Sequence, residues 1–153
     1  MTRHIAEQAI LDALANAFKD VDHDVWNGAT LNCAPTRIKE VRELQRKGVD
    51  NWTPEDIDWL FFKAATTVGS EETVKFALPR LLAHLIRDEI FGSVSEGAIA
   101  GKLDYAGFSN WPTNQRTAAL NAIALLAEHC ADEEYRQTVS EGLREFVARQ
   151  RAN

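Results

Sequence analysis

Apolar side chains recur three and four residues apart in segment after segment of this chain, and almost no stretch alternates apolar with polar. That spacing lays them along one stripe of a helix, whereas a strand facing a core needs a period of two. The expected fold is therefore all-α. In residues 3–20, Ile10, Leu14, Ala17 and Phe18 share a stripe that Val21 continues. Asp20, Asp22 and Asp24 then end the helix in an acidic segment that holds Trp26 and the turn pair Asn27-Gly28.

A second helix is expected over residues 35–47, with Pro35 in its first turn, Gly48 as its stop and a thin apolar face of Ile38, Val41 and Leu44. Thr53-Pro54-Glu55-Asp56 is the clearest start signal: a capping hydroxyl, a first-turn proline and two carboxylates at the positive end of the helix dipole. From there Ile57, Leu60, Phe61, Ala64 and Val68 run to Gly69, with Trp59 and Phe62 off the stripe. A helix apolar nearly all round is expected at the centre of the core. Ser70 caps the next segment, in which Pro79 either kinks one long helix or starts a second that runs to Phe91 and Gly92. A short helix follows Ser95, an aromatic loop spans residues 105–112, Thr113 caps a helix to Ala131, and Asp132 caps the last, which frays after Arg149. The sum is six to eight helices with short links and no repeat of fixed period. A single domain over residues 1–153 is expected, an irregular bundle or a short stack of helical hairpins.

At 153 residues the chain is long enough to fold without a disulfide or metal staple. No run of about 18 apolar residues suggests a membrane span, and residues 1–16 do not read as a signal peptide. Cys33 and Cys130 stand far apart, each without a second cysteine nearby, which suits a reducing, cytoplasmic setting; a single long-range disulfide stays open.

Catalytic signatures are missing. No Gly-x-Ser-x-Gly elbow occurs, and Gly97-Ala-Ile-Ala-Gly101 lacks the Lys-Ser/Thr of a phosphate loop and reads as close helix packing. His84 with Asp88, and His129 with Glu133, stand four apart and could meet on helix faces, and two such pairs on facing helices could hold a metal. The carboxylate-rich Glu-x-x-His signature of such bundles is absent, so exposed pairs are expected, with no metal and no cofactor. His23 reads as a loop residue. The basic run at residues 37–47 is short on a chain of net charge -6, which disfavours nucleic acid as a partner.

Acidic groups are more suggestive. They gather at Asp20, Asp22 and Asp24, at Asp50, Glu55, Asp56 and Asp58, and at Asp132, Glu133 and Glu134. Capping and solubility account for Asp56 and Asp132. The first cluster follows its helix, where negative charge opposes the dipole, and Trp26 and Trp52 stand beside the first two. Tryptophan beside carboxylates suits an anchor and rim for a basic protein partner. The expected partner-binding residues are Asp20, Asp22, Asp24, Trp26, Asp50, Trp52, Glu55, Asp56 and Asp58.

Trp59-Leu-Phe-Phe-Lys-Ala-Ala-Thr-Thr-Val-Gly69, Phe76-Ala-Leu-Pro-Arg-Leu-Leu82, Gly101-Lys-Leu-Asp-Tyr-Ala-Gly107 and Trp111-Pro112 together resemble a group of small all-helical bacterial proteins. Members of that group often carry a cysteine-rich segment after the first helix, of which Cys33 alone remains here. The group offers no activity to carry over residue by residue. As a class, small acidic helical proteins of this kind resemble immunity proteins of polymorphic or contact-dependent toxin systems. The resemblance implies a non-enzymatic, cytoplasmic protein that neutralises a cognate toxin domain, a nuclease being one candidate, by occluding its active site. The alternatives are a helical metalloenzyme using His84, Asp88, His129 and Glu133, and a helical scaffold without a toxin partner.

Overall fold

The computed structural model describes residues 2–21 and 33–153. Among them are seven α-helices: α1 (Thr2–Ala17), α2 (Ile38–Lys47), α3 (Pro54–Lys63), α4 (Glu71–Ile86), α5 (Ile99–Tyr105), α6 (Thr113–Ala131) and α7 (Gln137–Ala152). The described residues contain no strand, only two isolated bridges around Val68. One apolar core draws on every helix. Its centre is α4, which packs against α1, α3 and α6 and buries nine side chains, Leu78, Leu81 and Leu82 among them. The sequence pattern points to α3 instead. That helix, however, leaves Phe62 at 40% exposure and turns Trp59 half outward. Its off-stripe rings widen the apolar arc without being covered.

Local chemistry explains the helix ends. Thr53 and Asp56 form a reciprocal capping box on α3, and Ser70 and Thr73 form one on α4. Gly69, at φ 69°, cannot be replaced freely, because a β-carbon there would overlap the Thr73 hydroxyl that completes the second box. α3 stops at Lys63 rather than running to Val68. The buried Lys102 supplies the reason: its ammonium donates to the carbonyls of Phe62 at 2.9 Å and Ala64 at 2.7 Å. A cation on the free carbonyls of a last turn ends a helix favourably. Burial and the nearby Lys63 push the Lys102 pKa down.

Pro79 lies inside one continuous helix. The ring removes the helical bond to the Lys75 carbonyl, and Arg80 Nη1 donates at 2.8 Å to the adjacent Phe76 carbonyl. α4 ends at Ile86, five residues before Phe91. Asp88 N–H donates to the Leu85 carbonyl at 3.2 Å and Glu89 N–H to that of His84 at 2.9 Å, the paired bonds of a Schellman stop. Asp88 occupies the left-handed position at φ 55°, where glycine is normally found.

Several smaller expectations change. Thr113 is the first helical residue of α6 rather than its cap. Asp132 precedes a 3-10 turn (Glu134–Arg136) and does not cap α7. Ser95 is buried and donates its hydroxyl to the Asp58 carbonyl at 2.6 Å instead of capping a helix. Gly101 has open space around it, so close packing does not explain it. α7 continues to Ala152.

Candidate functional site: an acidic cleft with exposed rings

The expected acidic surface is only partly assembled. Asp22, Asp24 and Trp26 lie outside the described residues, and Asp20 is exposed just beyond α1. Asp50 is exposed on a 3-10 turn (Val49–Asn51). Trp52 is no exposed anchor: its Nε1 donates to the Leu44 carbonyl at 2.9 Å and its ring meets Phe76 edge-on at 6.1 Å. Asp56 pairs with Lys47 while serving the α3 cap. Burial raises its pKa, but bonds from Lys47 and from the Thr53 backbone outweigh that and hold it below the ordinary carboxylate value.

Asp58 is the clearest correction. It is buried, and its carboxylate accepts from Ser93 Oγ at 2.6 Å, Val94 N at 3.0 Å and Ser95 N at 3.1 Å. Three donors fill most of its acceptor sites and the side chain is buried, so it knots the segment after α4 to α3 instead of facing a partner. Glu55, one turn earlier, is exposed and belongs to the cleft that this knot shapes.

That cleft encloses about 570 Å³ between residues 88–93, the start of α3 and the α6–α7 link. Glu55, Asp88, Glu89, Glu96 and Glu133 line it, against the single cation Arg136. Glu96 takes up the guanidinium in a two-armed bond, Nε to Oε1 at 2.9 Å and Nη2 to Oε2 at 2.6 Å, which pushes the Arg136 pKa up. Five carboxylates against one cation leave the cleft with net negative charge, although Asp88 lies 3.9 Å from Arg136 and Glu89 3.0 Å from His84. Phe91 is 100% exposed and Tyr135 80%, and both line the same cleft. Leaving a phenylalanine ring fully in water forfeits roughly 2 kcal/mol of burial. Together with the non-glycine residue at a left-handed stop, this is local chemistry that does not favour the fold.

The histidine pairs rearrange. His84 Nδ1 lies 3.0 Å from Glu89, because the left-handed turn at Asp88 takes that carboxylate off the α4 face. His129 Nε2 lies 2.9 Å from Glu7 of α1, since α6 ends at Ala131 before Glu133 completes the helical spacing. Among the described residues no group of three or more histidine, cysteine or carboxylate side chains is arranged to hold a metal ion. Both cysteines are free. Burial, reinforced by Glu96, pushes the Cys130 thiol up to about 11, so it remains protonated near neutral pH.

Within the basic run at residues 37–47, Arg37 pairs with Glu40, Arg46 with Glu43 and Lys47 with Asp56 of α3. No described helix is long and apolar enough to cross a membrane. Comparison with protein families, with curated proteins and with solved structures finds no match to this chain.

Proposed function

We propose that this chain is an immunity-type protein that binds a basic toxin domain in the cytoplasm and neutralises it by occlusion, without chemistry of its own. The observation that carries the reading is the cleft. Two rings, Phe91 and Tyr135, stand exposed beside Asp88, Glu89 and Glu133, with its one guanidinium already bound to Glu96. Exposed rings that desolvate on contact supply the holding energy of an interface, and surrounding carboxylates speed the approach of a basic surface. The net charge of -6 and the class resemblance support the same partner. A nuclease groove built to hold phosphates would offer the matching cations.

The test is capture from the native organism with the wild-type chain and with Phe91→Ala/Glu89→Lys/Glu133→Lys. The wild type should retain a basic toxin domain, and the cleft variant should bind it about 100-fold more weakly, the loss expected for one aromatic anchor plus reversed charge. Asp20/Asp22/Asp24→Lys provides the comparison surface. Full loss with that variant and none with the first would move the interface to the acidic segment after α1. Equal retention by all three forms, or capture of no basic protein, would contradict the proposal.

A further inference from the structure

Glu55, Trp59 and Lys63 repeat every four residues along α3. That spacing stacks them in one row, with the carboxylate and the ammonium each about 6 Å along the axis from the tryptophan. Ile57, Leu60 and Phe61 are buried behind the row, whereas Glu55 is exposed and Trp59 and Lys63 are half-buried. α2 flanks it on one side through the Lys47–Asp56 pair, and residues 93–95 flank it on the other through Asp58. The row therefore stands as an outward ridge. Phe62, 40% exposed, adjoins Trp59 at the next turn, and Val94, 57% exposed, borders the ridge beside Asp58.

The helix dipole accounts for an acid at the start of α3 and a base at its end. It does not account for the apolar surface left in water between them. Trp52 and Trp111 bond their indole N–H groups to backbone carbonyls, whereas the Trp59 N–H bonds to no described residue. Neither Glu55 nor Lys63 forms an ion pair among the described residues. At its start the ridge meets the acidic cleft, which Glu55 also lines. At its end Lys63 lies near the buried Lys102, whose own partners are neutral oxygens. Negative charge is in excess at one end of the row and positive charge at the other.

A row of acid, ring and base is its own complement when turned end for end. A second copy set antiparallel, on a twofold axis at Trp59, places each Glu55 opposite the other copy's Lys63 and brings the two indoles together. We propose that the ridge pairs with a second copy of this chain, forming an antiparallel α3–α3 dimer that covers Trp59, Phe62 and Val94. Three helical turns with their borders make a small interface, so the dimer is weak, with a Kd on the order of 10–100 μM. The inference does not depend on the toxin-binding reading. Because Glu55 also borders the cleft, a second copy and a cleft-bound partner would compete for it.

Sedimentation equilibrium of the full chain from about 5 μM to about 500 μM tests this. The wild type should pass reversibly from monomer to dimer. Glu55→Lys and Lys63→Glu should each weaken self-association about tenfold, because either sets like charges face to face. An equal mixture of those two variants should dimerise at least as well as the wild type, since both cross-pairs return in the mixed dimer. Trp59→Ala should cost about tenfold with both charges intact. Glu141→Lys, the same change of charge on an exposed position of α7, should leave the dimer unaltered. Circular dichroism checks that each variant is folded; should a reversal unfold the chain, Glu55→Gln and Lys63→Gln read the same contacts. A chain monomeric throughout, a dimer indifferent to the charge changes or to Trp59→Ala, or a mixture no better associated than its components would overturn the proposal.

Discussion

Asp58→Ala should destabilise the fold by about 3 kcal/mol and lower the melting temperature by roughly 10 °C, read by calorimetry or urea titration. The carboxylate accepts three hydrogen bonds, from Ser93 Oγ and the Val94 and Ser95 amides, and Ser95 is itself fully buried. Truncation leaves the Ser95 amide with only its longer contact to Ser93 Oγ, at 3.2 Å, in a site closed to water. Asp58→Asn keeps the shape but turns one acceptor into a donor facing donors. It should lose at least half as much. The same knot ties down the segment beside Phe91, so the alanine variant should also bind a cleft partner more weakly at temperatures where it remains folded. A melting temperature within about 2 °C of the wild type would show that the knot contributes little.

Glu96→Ala is expected to cost about 3 kcal/mol as well, for a different reason. The Glu96 and Arg136 side chains are 11% and 13% exposed, and their two-armed bond joins the turn before α5 to the turn before α7. Removing the carboxylate leaves a guanidinium whose other acidic neighbour, Asp88, is 3.9 Å away and largely in solvent. Breaking one side of a shielded pair costs more than removing both, because the orphaned charge keeps its desolvation penalty. Glu96→Met/Arg136→Met should therefore recover more than half of the loss. If the double variant is no more stable than the single one, the pair itself, and not the orphaned cation, supplies the stability.

Where backbone signals are local, the chain announces its fold. Thr53-Pro54-Glu55-Asp56 and Ser70 mark helix starts because a capping hydroxyl acts within three residues, and α3 and α4 begin there. Helix ends set by tertiary contacts are not visible in the pattern. The stop at Lys63 depends on an ammonium 39 residues further on, and nothing in the spacing of Ala64 and Val68 reveals it. α4 ends on Asp88, a residue type that seldom takes a left-handed stop, so the later Gly92 draws the eye instead.

The site follows the same division. Glu55 reads as exposed acid and is so, whereas Asp58, three residues later on the same helix, is turned inward by the serines of a distant loop. Glu133 belongs to a cluster whose Asp132 reads as a cap, and its place in the cleft emerges only with the α6–α7 link folded beside residues 88–93. A signal was available for the rings. Phe91 stands between Ile90 and a glycine at the end of an apolar stripe, and Tyr135 follows three acidic residues; both positions invite exposure.

The reading turns on whether the rings and carboxylates of one cleft meet another macromolecule. Amide hydrogen exchange of the captured complex against the free chain addresses this directly. Protection should rise in residues 87–95 and 133–139 and stay unchanged along the outer face of α7. Exchange in those two segments identical to that of the free chain, with protection gained elsewhere, would contradict the account.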